Sequence, residues 1–274
     1  MSHASLSVIV PTRDRPALLR RALRPFAEVS ASALEVVVVD DGSKLRNVQR
    51  NQLLCTKVPR CTYLRHERPC GAPAARNRGF AASRAPFVWF MDDDDYGTPR
   101  TVRDVLRSVS DEPARRDVVL LPRRVVFRGT HLRLDMPRDE PNKFERYRRY
   151  GLEVTTSCAV FPREVVSELE GWDESLRGLQ DVDLLLRASQ VATFRCLATE
   201  PVCMDVGQSD RITFSFWNSQ IGKIQFLRKH WRTISPRLRW RFTTQVLTCS
   251  PLTRRIRFEL RRGLLRYRQR VRRD

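Results

Sequence analysis

The sequence predicts an α/β fold: a mostly parallel, doubly wound sheet with helices on both faces, followed by a basic helical extension. Three observations predict it. Short β-branched runs alternate with helix-spaced segments at brief intervals over about the first 120 residues. Polar clusters follow three of those runs, at Pro11-Thr12-Arg13-Asp14, Asp40-Asp41 and Asp92-Asp93-Asp94-Asp95, and sheets of this kind bind ligands at the carboxyl ends of their strands. After Thr213 the spacing is mostly helical, and the charge becomes strongly positive.

Taken in order, residues 5–10 read as a strand buried on both faces, short, β-branched and ended by Pro11. Residues 15–29 have helical spacing through Leu18, Leu19, Ala22, Leu23 and Phe26. Pro16 suits a first helical turn, and Pro25 is expected to kink or shorten the helix. Residues 34–39 are a second buried strand, ended by Asp40-Asp41-Gly42-Ser43. Residues 44–54 read as helix, 62–65 as strand and 72–83 as a small-residue helix. The strand at 87–91 runs straight into the four aspartates. Residues 100–110 are expected to be helical and 117–121 to be a strand, whereas 123–149 read as polar and irregular. Further on come a strand at 156–161, a short helix at 165–170, a turn at Gly171-Trp172-Asp173-Glu174 and a helix at 180–188.

A chain of 274 residues accommodates one large α/β domain, with or without a small appendage. Its Lys+Arg count of 51 exceeds the 31 Asp+Glu by 20, and only five of the 51 are lysine. Residues 228–274 hold 16 basic and two acidic residues, so most of the excess sits at the end. The seven cysteines show no CxxC pair, which argues against a zinc site. They read as reduced thiols of a cytosolic protein. The first residues carry no basic segment leading into an apolar stretch, so no secretory leader is expected. No run of about 18 apolar residues predicts a membrane span.

Four clusters carry chemistry. The run Asp92 to Asp95 places four mutually repelling carboxylates after an apolar strand; a hard divalent ion such as Mg²⁺ or Mn²⁺ would neutralise them. An acidic helix-capping turn is the simpler reading. Asp40-Asp41-Gly42-Ser43 can accept hydrogen bonds from a base or ribose, or form an Asx-type turn. Arg76 and Arg78, in a helix of small residues, suit a diphosphate, or are simply solvated. Asp181 opens a helix, where the dipole favours its ionised form; it is a plausible general base or an N-cap.

Together these stretches resemble the inverting family 2 glycosyltransferases of the GT-A, Rossmann-like fold. The matching segments are Ser7-Val-Ile-Val-Pro-Thr-Arg-Asp-Arg15, Val38-Val-Asp-Asp-Gly-Ser43, Gly71 with Ala75-Arg-Asn-Arg-Gly79, Phe90-Met-Asp-Asp-Asp-Asp95 with Pro99, and Gly171-Trp-Asp-Glu with Gln180-Asp-Val-Asp-Leu and Arg187. They occur in the family's order, over about residues 5–190. The resemblance implies a nucleotide site lined by Pro11, Thr12, Arg13, Asp40, Asp41, Arg76, Asp92 and Asp93. It implies Mn²⁺ or Mg²⁺ on Asp94, Asp92 and Asp95, with Asp92 and Asp94 at the DxD positions. Asp181 would be the catalytic base, and Trp172, Asp173, Glu174 and Gln180 would face the acceptor. The implied division is a catalytic domain at 1–215, with its nucleotide-sugar half at about 1–115 and its acceptor half at about 116–215, and an extension at 216–274.

Three departures qualify the resemblance. Gln180 stands where members often have Glu, so a like charge that would raise the base's pKa is missing. No His occurs in 202–209 to reach the metal, which leaves Asp205 as a weak substitute. The QxxRW signature of processive members is absent, which favours transfer of a single sugar.

The implied donor is a nucleotide-diphosphate sugar, UDP-linked by family habit. The acceptor is a saccharide, a lipid-linked glycan or a small molecule. Leu252, Ile256, Leu260, Leu264 and Tyr267 form one helical stripe among arginines; residues 251–273 thus suit an anionic membrane surface, or pack on the domain. The expected location is cytoplasmic and peripheral on the inner face of the membrane. Trp231 and Trp240 suit interfacial anchoring and core packing equally. Two other classes remain: a nucleotidyltransferase on a similar sheet, which leaves the Trp172 to Asp181 element unexplained, and a nucleic-acid binder, which the acidic clusters oppose.

Overall fold

The computed structural model describes residues 4–29, 32–111, 116–127, 130–138, 142–150, 155–206 and 216–248. Strand β1 (Leu6–Thr12) is buried along its whole length. It pairs in parallel with β2 (Leu34–Asp41) on one side and β4 (Phe87–Phe90) on the other. β2 pairs in parallel with β3 (Cys61–His66). β1, β2 and β4 are buried on both faces, which is why they read as continuous apolar runs, whereas the edge strand β3 is only partly buried. Helices α1 (Pro16–Ala27), α2 (Leu45–Cys55), α3 (Ala72–Ala82) and α4 (Pro99–Ser110) alternate with them. α1 runs through Pro25 and ends two residues later. The lost N–H costs only one bond near the terminus, and Glu28 N still donates to Arg24 O at 3.2 Å.

Shorter strands follow, divided between this sheet and a second one. In chain order, β5 (Asp95–Tyr96) precedes α4, and β6 (Val118–Leu120) follows it. The described residues within 123–149 are regular rather than irregular. They form β7 (Arg123–Phe127), β8 (Thr130–Asp135) and α5 (Lys143–Tyr150). β7 and β8 pair antiparallel with a register shift between Val125 and Val126. Their exposed arginines and the bulge obscure the two-residue period that marks a strand. A 3-10 turn (Thr156–Cys158) leads into β9 (Ala159–Pro162), which is antiparallel to both β4 and β6. After α6 (Arg163–Glu168) and α7 (Gln180–Val191) come β10 (Phe194–Cys196) and β11 (Val202–Asp205). The main sheet has the order β10-β6-β9-β4-β1-β2-β3, and a second sheet, absent from the sequence reading, has the order β5-β11-β7-β8.

The core beneath the site is aromatic. Trp89 and Phe26 meet edge to face at 5.8 Å, and Phe90 meets Phe161 at 6.1 Å and Trp172 at 5.2 Å. Such pairs contribute about 0.5–1.5 kcal/mol each beyond area burial. The expectation of reduced thiols is corrected at one place. Cys55, at the end of α2, and Cys61, at the start of β3, form a disulfide across a Cα separation of 5.6 Å.

Two compact units emerge: Met1–Tyr147, Gly151–Ser175 and Gln180–Ser209 make the first, and Arg148–Tyr150, Leu176–Leu179 and Asp210–Asp274 the second. In the second, α8 (Phe216–His230) and α9 (Pro236–Thr248) pack antiparallel. Phe226 meets Phe242 at 5.6 Å, and the Gln220 amide donates to Gln245 O and Val246 O. The stripe expected at 251–273 lies outside the described residues.

Candidate active site

The carboxyl ends of β1, β2 and β4 lie side by side in the sheet, and the acidic clusters extend from them. At the end of β1, Pro11 and Thr12 are buried and Arg13 is exposed. Asp14 adopts φ +56° and ties this loop to the next: its carboxylate accepts from Lys44 N and Asn47 Nδ2, and its own N–H donates to Ser43 Oγ.

The two aspartates ending β2 do different work. Asp40 is fully buried and accepts from Ser43 N, Asn51 Nδ2 and Tyr63 Oη at 2.7–2.8 Å. Asp41 accepts from Cys70 N at 2.8 Å and Gly71 N at 2.9 Å, and meets His66 Nδ1 at 2.8 Å. Gly42, at φ +74°, has no room for a side chain, because a Cβ would lie 2.7 Å from Pro69 N. Asp41, His66 and Cys70 form one of the trios of ligand-type atoms among the described residues.

The acidic run is folded so that its members separate. Asp95 N donates to Asp92 O at 3.1 Å, closing a turn. Asp93 points inward, almost wholly buried, accepting from Thr12 Oγ1 at 2.7 Å and pairing with Arg15 at 3.0 Å. Burial, only partly offset by Arg15, pushes its carboxyl up to about 7. Asp92, Asp94 and Asp95 face one another instead, with carboxylate oxygens within 4.8 Å. An all-oxygen donor set of this kind fits a hard divalent cation. Arg15 also reaches Asp94 at 3.9 Å, while Arg21 donates to Asp94 O, pairs with Asp205 at 3.2 Å and lies 4.6 Å over the Tyr96 ring. Asp205 is therefore held by Arg21.

Ser157 pins the end of β4: its O accepts from Trp89 Nε1 at 2.9 Å and its Oγ from Asp92 N at 3.0 Å. Arg76, on α3, reaches Asp92 at 2.5 Å and stacks over the Trp172 ring at 4.4 Å. Arg76 Nε and Trp172 Nε1 are buried donors with no partner among the described residues. Such atoms are costly to leave unpaired, so their presence in one cluster suits a site that binds a polar ligand.

The Gly171-Trp172-Asp173-Glu174 turn is clamped from both sides. Asn77 Oδ1 accepts from Trp172 N at 2.8 Å, and its Nδ2 donates to Trp172 O at 2.9 Å and to Glu174 at 2.8 Å. From α7, Arg187 donates to Leu169 O and Gly171 O and pairs with Asp183 at 2.8 Å. Gly171 sits at φ +74°, and a Cβ there would meet Asn77 Oδ1 at 2.6 Å. Asp173 spends its carboxylate on Ser175, accepting from its N and Oγ. Gln180 begins α7, with Asp181 beside it.

Asp181 keeps part of its surface open to solvent but is otherwise enclosed by protein. That enclosure raises its pKa; the nearby charge of Asp92 adds to the rise, while a hydrogen bond from Val182 N and the charge of Arg76 oppose it. The carboxyl is thus raised although Gln180 supplies no like charge. Asp92, Arg76, Trp172 and Asp181 form one electrostatically linked group, from segments up to 105 residues apart by number. Arg13 is exposed and Asp40 is held by Ser43, Asn51 and Tyr63, whereas Asp93 feels the charges of Asp92 and Asp94 from its buried position.

Residues 7–169, more than half the chain, match the model of glycosyl transferase family 2. The chain belongs to that family. This family 2 glycosyltransferase is 26% identical over 233 residues to an uncharacterized glycosyltransferase of Haemophilus influenzae, across 82% of this chain and 76% of that protein. It is 28% identical over 231 residues to the pre-mycofactocin glycosyltransferase of Mycobacterium tuberculosis, spanning 79% of this chain and only 45% of that one. Among solved structures, S. aureus TarS 1–349 in complex with UDP-GlcNAc superposes with a TM-score of 0.66 at 18% identity, over 89% of this chain and 71% of that chain. That likeness identifies the GT-A fold.

Asn77, Arg187 and Arg15 lie inside the stretches that carry the family resemblance, yet the sequence assigned them no partner. Arg21 and Ser157 left no local signal at all.

Proposed function

We propose that this enzyme moves a single sugar from a nucleotide-diphosphate sugar, with UDP as the favoured carrier, to an acceptor hydroxyl with inversion at the anomeric carbon. The observation that carries this reading is the convergence of Asp181, Arg76 and Asp92 beside the Asp92, Asp94 and Asp95 trio. Asp181 accepts the proton of the acceptor hydroxyl as its oxygen forms the new bond to the anomeric carbon. The bond from that carbon to the diphosphate breaks on the opposite side, and the electron pair leaves with the nucleoside diphosphate. Arg76 offers its guanidinium to the diphosphate, and Asp41 lies where the base is expected. Asp93, tied to Thr12 and Arg15, holds the loop that presents Asp92 and Asp94. Asp92, Asp94 and Asp95 would hold Mn²⁺ or Mg²⁺, which when bound would supply positive charge for the leaving diphosphate.

The same reading assigns donor binding to about residues 1–115, acceptor binding to about 116–215 with Trp172 and Glu174, and an accessory role to 216–274. It places the enzyme on the cytoplasmic side of a membrane, with residues 251–273 against anionic lipid. No helix among the described residues is long and apolar enough to cross a membrane.

A donor panel tests the reaction. The chain is incubated with Mn²⁺ or Mg²⁺ and a set of UDP-, GDP- and dTDP-sugars, and nucleoside diphosphate release is followed. Slow release from one donor, lost with EDTA and in Asp94→Ala, is expected. Absence of both release and metal-dependent nucleotide binding by calorimetry would overturn the reading.

A further inference from the structure

The α8–α9 pair carries a chemistry that sugar transfer does not use. Residues 216–248 contain seven Lys and Arg and no Asp or Glu. They also contain three of the chain's five tryptophans, Trp217, Trp231 and Trp240. The two helices already satisfy one another: Phe226, Leu227 and His230 on α8 and Leu238 and Phe242 on α9 are buried. The tryptophans keep much of their surface in water. Trp217 is 69% exposed, Trp240 73% and Leu247 78%, with Trp231 and Ile224 also exposed.

Their spacing places them in stripes. On α8, Trp217, Ile224 and Arg228 recur at seven and four residues, and Trp231 follows seven after Ile224. On α9, Arg237, Trp240, Arg241 and Leu247 share one face. Every residue named in both stripes is either apolar or cationic. Arg239 lies over the Trp231 ring at 5.1 Å, so cation and aromatic are joined there.

We propose that these solvent-facing stripes of α8 and α9 dock on an anionic lipid surface. Tryptophan suits that boundary, with its apolar ring in the headgroup region and its N–H still hydrated. Lys and Arg are drawn to the lipid phosphates, each adding to the attraction. Ile224 and Leu247 gain from leaving water in the same movement. Two other occupants fit less well. Residues 249–274 carry ten arginines against two acidic residues, so like charge opposes their covering this face. A nucleic acid would satisfy the cations but leave Ile224 and Leu247 without a use.

The test uses the full chain and vesicles of phosphatidylcholine, alone or mixed in equal parts with phosphatidylglycerol. Binding is followed by flotation, by the blue shift of tryptophan emission and by quenching with brominated lipid. The expected result is binding and quenching with the anionic vesicles only. Trp217→Ser/Trp240→Ser/Leu247→Ser should weaken binding at least about tenfold without a change in melting temperature, and Trp240→Ser alone should lose part of the quenching. Failure to float, wild-type affinity in the triple variant (which would assign the binding to residues 249–274), or a blue shift produced by a random DNA duplex and not by vesicles would each overturn the proposal.

Discussion

Replacing Asn77 by Ala removes the clamp that joins α3 to the Trp172 turn. Asn77 makes two part-buried hydrogen bonds to the backbone of Trp172 and one exposed bond to Glu174. The first two are worth about 1 kcal/mol each, and the exposed one adds little after solvent screening, so the loss is about 2 kcal/mol. For a chain of this size, that lowers the melting temperature by about 4–8 °C. The larger effect is on activity, because Trp172 supports Arg76 at 4.4 Å and Arg76 holds Asp92 at 2.5 Å. A shift of about 1 Å in such a group can cost about a hundredfold in rate. Scanning fluorimetry measures the first number, and steady-state turnover with the donor identified by the panel measures the second. Arg50→Ala, at an exposed position on α2, serves as the control, with an expected change within about 0.5 kcal/mol. If Asn77→Ala melted and turned over like wild type, the clamp would not be what positions Trp172.

Other outcomes follow from the same geometry. As the proposed base, Asp181 would act only when ionised, and burial raises its pKa, so activity should decline on acidification from a higher pH than an ordinary aspartate would give. Asp181→Asn should abolish turnover while leaving nucleotide binding intact; a pH–rate profile that stays flat well below neutrality in the wild type would contradict the assignment. Reducing the Cys55–Cys61 disulfide, which closes a separation of six residues, should cost about 2 kcal/mol in urea denaturation. A Cys55→Ser/Cys61→Ser variant should show the lower stability and no response to dithiothreitol.

Much of the architecture around the ends of β1, β2 and β4 was legible in the sequence. β1, β2 and β4 are buried on both faces, so their apolar runs are continuous, and the acidic clusters must then fall at the strand ends. The order of the motifs pointed to the family. The sequence did not show which of four adjacent aspartates turns inward, because Asp93 is selected by Thr12 and Arg15 across 81 and 78 positions. Nor did it show the second sheet: β5, β11, β7 and β8 are two to six residues long, too short for a period to declare itself. Cys55 could be matched with Cys61 only once α2 and β3 had placed them together. Trp231 and Trp240 have the same spacing whether a helix faces the core or the solvent, and the packing of Phe226 on Phe242 decided that they face outward. Local periodicity is written in neighbouring residues and can be read from them. The partner of a carboxylate, a thiol or an indole is set by which distant segments the folded chain brings together, and only the tertiary structure decides that.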